Sequence, residues 1–434
     1  MLLIHVKRSP VRWIFPVALA FNLAMLFFRN RYWIGVWPET SAAAQMPAYL
    51  TSGLAAAAAA WSVGAPHRHG TVEQKLPLAV PRWRREVPPV ATVLLYFVLI
   101  SLIVQAIAFG LTLRTNPPGI ELWPGYVVMG LTVICLAVAF GHVVGKALSG
   151  RFAAAVAGLA WFIVSMYLGS QWDFGVVSGP VYNELDTLTV MVRLLGAVAL
   201  ISLAVALPNF LARERAAVSR RTERRWLRPA VVVTVAAVVL CAVTAVLGSP
   251  VKGREKPAEV LCVGVRLKVC MWPEHQKYQS AVEDIVQRAE RLPAVFVLPG
   301  RFDEYGVSYQ MRVVDGVIDL TDRSGLPPYF YIPDGSTWAL SGTVATEIMK
   351  VSLRYCAKAP FSKGEQVDLR ANETEAWLEA FLAGGGRPDY HTNRSGEAAA
   401  AARRGEERAN HGSEAEQFAW AGERVTEYNA ASCL

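Results

Sequence analysis

The stretch PAVVVTVAAVVLCAVTAVLG, Pro229 to Gly248, limits what this chain can fold into more than any other. It is uncharged and about twenty residues long, which suits a helix crossing a hydrocarbon core of roughly 30 Å. Before it, long apolar runs alternate with short connections. After it, no apolar run is long enough to span. The chain of 434 residues therefore divides into a membrane half and a soluble half. That length suits one domain of each kind.

Six further spans are expected: Val11 to Phe28, Ala43 to Val63, Pro89 to Leu113, Tyr126 to Leu148, Phe152 to Gly169 and Leu188 to Leu211. The second is rich in alanine and the least hydrophobic. The basic residues set the orientation. Lys7, Arg8, Arg12, Arg68, Lys75, Arg82, Arg84, Arg85, Lys146, Arg151 and the arginines from Arg213 to Arg228 fall in one set of connections. The alternate set holds only Arg29, Arg31 and Arg114. The positive-inside rule then places the N-terminus in the cytoplasm and everything after the seventh span outside. The formal net charge of +8 belongs to this asymmetry and not to a nucleic-acid surface. The first run shows no small-residue cleavage site, so no cleaved signal peptide is expected.

The inner loops at His67–Glu86 (HRHGTVEQKLPLAVPRWRRE) and Arg213–Arg228 are strongly basic. The second, with Trp226, suits an interfacial helix on anionic lipid. In the outer loop before the sixth span, Trp172 and Tyr182 suit the headgroup level. Few polar residues enter the spans: Gln105 in mid-span, His142 near an inner end, and Arg193 in the outer part of the sixth. Gln105 and Arg193 are candidates for a substrate path, with snorkelling as the plainer role for Arg193.

Beyond about Lys256 the periodicity changes. Glu259–Leu261 and Leu267–Met271 alternate as strands around Gly264, with Cys262 and Cys270 facing across the hairpin. Both cysteines follow the last span, as do Cys356 and Cys433, and that clustering points to an oxidising compartment. A Cys262–Cys270 disulfide is expected, although Cys356 and Cys433 are rival partners. An amphipathic helix over Gln276–Leu292, a short strand at Ala294–Leu298 and a hairpin about Asp315–Gly316 follow. Helices are expected over Thr337–Tyr355, capped by Ser336, and from an Asn372/Glu375 capping box to Leu382, ended by Gly384–Gly386. The remainder lacks a sustained apolar face and reads as largely disordered, with a transient helix at Glu397–Arg408.

Motifs of catalysis are missing. GHVVGKAL at Gly141 has the wrong spacing for a phosphate-binding loop, and HExxH and GxSxG do not occur. Glu274 and His275 of the WPEH stretch form a conceivable acid/base pair, but Pro273 and Glu274 also suit the start of a helix. Asp303 and Glu304 read as a solvated acidic turn. No residue is therefore assigned a catalytic role, and neither cofactor nor metal is expected.

A first span, a less hydrophobic second span, a basic inner loop and four more spans resemble the membrane subunit of type-two ATP-binding-cassette exporters. The resemblance covers about Val11 to Leu211. It implies a coupling helix in the loop after the second span, here carrying Val72, Leu76, Leu78, Arg82, Arg84 and Arg85, which docks a separate cytoplasmic ATPase. It also implies a homo- or heterodimer of permease subunits. The seventh span and outer domain depart from the six-span pattern and resemble bacterial permease-like proteins whose outer domain opens on VCxWPEH, here Val269 to His275. The expected fold is a membrane all-α bundle of six spans plus a seventh, followed by a small extracytoplasmic α/β domain. Its parts are a permease-like domain (1–211), a basic linker with the seventh helix (212–248), the α/β domain (249–383) and the tail (384–434). The functional expectation is a permease subunit in the lipid bilayer, energised by its partner. The rival is a membrane-anchored outer binding module without transport.

Overall fold

A computed structural model describes residues 2–28, 31–69, 82–118, 123–148, 150, 152–172, 179–206, 248–308, 313–314, 317–318, 327–332, 336–353, 364–385 and 396–431. The chain forms two compact units, Met1–Lys252 and Gly253–Leu434. Residues 229–247 of the expected seventh span lie outside the described residues. So do Val72, Leu76, Leu78, Cys356 and Cys433.

The first unit consists of α1 (Leu2–Arg8), α2 (Val11–Phe28), α3 (Trp37–Arg68), α4 (Arg82–Leu113), α5 (Pro124–Ala147), α6 (Ala153–Trp172) and α7 (Thr187–Ala206), with strands β1 (Asn183–Leu185) and β2 (Val251–Gly253). Among the described residues, α2, α4, α5 and α7 are long and apolar enough to cross a membrane, and α6 holds a shorter apolar stretch. The 32-residue α3 is not hydrophobic enough to join them.

The packing explains why. Helix α3 touches α2, α4, α5 and α6, which cover most of it and leave Leu54 and Trp61 exposed. Most of its buried positions are small, among them Ala44, Ala48, Ala55, Ala56, Ala59 and Ala60. Gly141 and Gly145 of α5 lie against Ala56 and Ala60, and a Cβ on Gly145 would sit 2.8 Å from Ala60 Cα. The GHVVG stretch is therefore a small-xxx-small contact that lets two helix backbones approach. On α6, Gly158 meets Gly53 in the same way, with its added Cβ 3.1 Å from Gly53 O. Trp161 Nε1 donates to Ser52 Oγ at 2.7 Å across that crossing.

The outward faces carry the large apolar residues. Trp13, Val17 and Phe21 are exposed on α2, Leu95, Leu99 and Leu102 on α4, Leu159, Ile163 and Tyr167 on α6, and Leu188, Leu195 and Val198 on α7. Inside, small and polar side chains share the core with large apolar ones such as Leu26, Phe97, Ile100 and Ile134. A bundle surrounded by water turns polar side chains outward. A bundle surrounded by lipid tails shows the arrangement seen here.

Cross-contacts fix which helix ends lie together. Thr40 Oγ1 and Thr112 Oγ1 meet at 2.6 Å, and Gly125 lies against Leu185. One end of the bundle therefore gathers the starts of α3, α5 and α7 and the end of α4. We call it the Trp37 end. Strand β2 pairs with β1 there. Asp186 N donates to Pro250 O at 2.7 Å, and Lys252 Nζ lies 3.0 Å from Glu184 Oε1. Residues 249–252 thus belong to the membrane unit. This corrects the expected domain start at 249, because the ladder to β1 captures the chain before the second unit begins.

The second unit contains β3 (Leu261–Val263), β4 (Lys268–Met271), a 3-10 turn (Pro273–Tyr278), α8 (Gln279–Glu290), β5 (Arg301–Glu304), β6 (Val313–Val314), β7 (Val317–Ile318), β8 (Tyr329–Phe330), α9 (Trp338–Ser352), α10 (Gly364–Ala383), α11 (Gly396–Ala409) and α12 (Glu414–Ala431). One sheet runs β3-β4-β5-β8, antiparallel at β3/β4 and parallel at both other pairings. Gly264 turns the first hairpin at φ +90°, where a side chain is strained. Cys262 and Cys270 are direct partners in the ladder and are joined as a disulfide. Strands β6 and β7 pair in register about residues 315–316.

Three local expectations are corrected. Ala294–Leu298 is not a strand. Its Val297 N–H donates to Ser352 Oγ at 2.8 Å, and the sheet instead takes β5, whose charged residues hide it in the sequence. Helix α10 starts at Gly364, so Asn372 is interior. Glu375 accepts from Thr346 Oγ1 of α9 at 2.6 Å instead of closing a capping box. The tail described at 396–431 is helical and packed, not disordered. Ala401, Ala402 and Gly405 of α11 press against α10, where a Cβ on Gly405 would lie 2.9 Å from Trp377 N. Phe418 and Trp420 of α12 meet the Trp377 ring at 6.4 and 6.0 Å. On α11 the packed face is made of alanine and glycine, whereas α12 buries Ala421, Val425 and Tyr428.

Candidate functional site

Two groups of buried polar side chains stand out, one in each unit. In the membrane unit they run along the core helices. At the Trp37 end, Thr40 Oγ1 donates to Trp33 O at 2.8 Å, and Gly35 N donates to Thr112 Oγ1 at 3.3 Å. Deeper in, buried Gln45 of α3 stands near Gln105 and Ser101 of α4. Gln105 Nε2 donates to Ser101 Oγ at 3.2 Å. Gly130 of α5 lies between them: a Cβ there would touch Gln45 Cγ at 3.4 Å, Ala48 Cβ at 3.8 Å and Gln105 Nε2 at 3.9 Å. Beside this group, Thr51 Oγ1 donates to Asn22 Oδ1 at 3.3 Å.

At the opposite end three ionisable groups meet. His142 Nε2 of α5 lies 3.2 Å from Glu86 Oε2 of α4, and Lys146 Nζ lies 3.9 Å from the same oxygen. Lys146 also donates to Ala204 O at 2.8 Å and Val205 O at 3.3 Å, near the end of α7. A cation there meets the negative end of the helix dipole. His142 and Lys146 are 1% and 3% exposed, and with partly exposed Glu86 they tie the ends of α4, α5 and α7 together.

The expected site residues separate. Gln105 is buried within the polar group nearer the Trp37 end. Arg193 is 2% exposed, and its Nη2 donates to Gly248 O at 2.7 Å, tying α7 to the segment that leads into β2. Arg82 opens α4, followed by exposed Arg84 and half-buried Arg85. Val72, Leu76 and Leu78 lie outside the described residues. Sequence reasoning missed Gln45, because its alanine-rich surroundings look inert. It missed Glu86, because three arginines in PRWRRE mask the one acid.

In the second unit the WPEH stretch and the acidic pair come together, contrary to a solvated turn at Asp303 and Glu304. Both acids are 1% exposed. Adjacent residues in β5 point to opposite faces of the sheet. Glu304 Oε1 lies 2.7 Å from His275 Nδ1, and its Oε2 accepts from Trp272 N at 3.0 Å. Asp303 accepts from Arg301 Nε at 2.7 Å and from Ser308 Oγ. Trp272 Nε1 donates to Tyr305 O at 2.9 Å. Glu274 pairs with Arg254, whose guanidinium stands 4.8 Å from the Trp272 ring centre. Trp272, Glu274 and His275 thus fasten β4 to β5 and to the segment at Arg254. The buried His275–Glu304 pair is closed to solvent, so the geometry is that of a structural clasp. Among the described residues no three His, Cys, Asp or Glu side chains gather as a metal site requires.

No family model, no curated protein and no solved structure matches this chain.

Proposed function

We propose that the chain is the membrane-spanning permease subunit of a transporter driven by a separate cytoplasmic ATPase. Its helices form a bundle of six spans plus a seventh in the plasma membrane. The Trp37 end faces outward, and the unit from Gly253 is extracytoplasmic. One observation carries this reading: polar groups are enclosed at two levels, Thr40, Thr112, Gln45 and Gln105 toward the Trp37 end and His142 with Lys146 toward the other, inside a bundle whose outer faces are apolar. Polar groups at membrane depth are costly and mark pathways. A domain that is merely anchored needs one apolar helix and no polar interior.

The partner docks on the loop after α3, through Val72, Leu76 and Leu78, with Arg82, Arg84 and Arg85 beside them. Permease subunits pair as homo- or heterodimers about the same ATPase. The test purifies the tagged chain from its native membranes and measures ATP hydrolysis in the eluate. Associated hydrolysis is expected, and it should fall when Val72, Leu76 and Leu78 are changed to Ser with normal membrane insertion. Hydrolysis unchanged by that variant overturns the docking surface. No associated ATPase with the wild-type chain overturns the permease reading and favours a membrane-anchored outer binding module.

A further inference from the structure

Among the described residues of the first unit, Gln45 is a buried amide with neither polar atom partnered: it is 1% exposed, and neither Nε2 nor Oε1 has a hydrogen-bond partner. Burying an amide without partners is strongly unfavourable, so a residue with no structural gain would be replaced by an apolar one without loss. Gln45 is eight residues into α3, Gln105 eight residues before the end of α4, and Gly130 six residues into α5. All three therefore lie about 9–12 Å below the Trp37 end. Gly130 has no side chain between the two glutamines, and Ser101 holds Gln105 Nε2 in place at 3.2 Å. A second donor without a partner among the described residues, Trp37 Nε1, lies on the same helix nearer that end.

We propose that Gln45, Gln105 and Ser101, around Gly130, form a binding site for an amide group of the transported solute, the peptide bond being the chemistry it fits. The unpaired Gln45 side chain offers one carbonyl acceptor and an NH₂ donor. Its complement is a group that presents a donor and an acceptor together, as a carboxamide does. The ionisable cluster of Glu86, His142 and Lys146 lies elsewhere: His142 is twelve residues along α5 from Gly130, about 18 Å. Arg193 is engaged with Gly248 O. Recognition at this level therefore runs through hydrogen bonds.

This inference rests on the transport reading, but its test needs no ATPase, so the two can fail separately. Cysteines are placed at Gln45 and Gln105, and at apolar Ala137 as a control, in a chain whose Cys135, Cys241, Cys356 and Cys433 are Ser. Membranes are treated with a methanethiosulfonate bearing a carboxamide, and in parallel with one bearing a sulfonate. Rapid carboxamide labelling at Gln45→Cys and Gln105→Cys is expected, with Ala137→Cys silent. Adding Gly130→Leu should abolish it. If Gln45→Cys fails to fold, Gln105→Cys and Ser101→Cys carry the test. Absence of labelling at folded variants overturns the site and leaves a dry structural cluster. Faster labelling by the sulfonate reagent overturns the amide class.

Discussion

Glu290 shows how much one side chain can organise. Its Oε1 accepts from the backbone N–H groups of Val265, Arg266 and Leu267 at 3.0, 2.7 and 3.2 Å, holding the β3–β4 turn. Slight burial works against ionisation, but the three donors and the nearby Arg266 charge hold the carboxyl below the usual glutamate range. A depressed folded-state value means that this contribution is complete above the ordinary value of about 4.3. It is lost as pH falls through the lower folded-state value. Glu290→Gln should cost about 1–2 kcal/mol at neutral pH. It should also flatten the acid limb of a thermal-unfolding profile; an unchanged acid limb would contradict the assignment. The Glu304 carboxylate is a harsher case, because it is fully enclosed. Glu304→Ala leaves His275 and Trp272 N without their acceptor, and losses of about 3–5 kcal/mol are expected for a broken buried pair. The exposed pair of Arg291 and Glu414 should contribute less than about 1 kcal/mol, and denaturant titration of both variants compares them directly.

At the scale of elements, small residues decide what packs. Gly141→Val and Gly145→Val would force α5 off α3, so the detergent-solubilised protein should lose its monodisperse elution. Gly110→Ala on α4, with nothing within 4 Å of the added Cβ, should keep it. Gly405→Val should release α11 from α10, read as lost amide-exchange protection in α11 while β3–β5 keep theirs. These contacts also show what the sequence made legible. Long apolar helices such as Val11–Phe28 were readable from hydropathy alone, and the hairpin at Gly264 from its alternation. The docking of α11 was not, because hydrophobic periodicity counts large side chains and α11 packs with Ala401, Ala402 and Gly405. For α12 a signal was present: Ser413 and Glu416 form a reciprocal capping box, Ser413 N to Glu416 Oε2 at 2.9 Å and Glu416 N to Ser413 Oγ at 3.3 Å, which starts α12. The polar group around Gln105 was half legible: Gln105 is visible as a lone polar residue in a span, but its neighbours Gln45 and Gly130 come from other helices. No one-dimensional pattern brings them together.

Across the whole molecule, the Cys262–Cys270 bond and the proposed orientation test one another. Thiol-reactive reagents on intact cells should reach cysteines placed after residue 253, and not one placed at Arg84. The opposite labelling would invert the topology. Reduction should destabilise the second unit by on the order of 2–3 kcal/mol, the modest stabilisation of a short closed loop. A different consequence follows from the composition of α3. Translocation machinery admits a helix by how well it partitions into lipid on its own. A segment of alanine, glycine, serine and threonine with Pro47 inside it partitions poorly. In the proposed bundle, then, α3 cannot be committed to the bilayer as it emerges from the ribosome. It must wait at the interface until α4 and α5 are made, and enter as a passenger of their apolar surfaces. Biogenesis would thus run out of sequence order, and truncation after residue 69 should leave α3 uninserted in a glycosylation-mapping assay that scores it as spanning once the chain extends through Ala147.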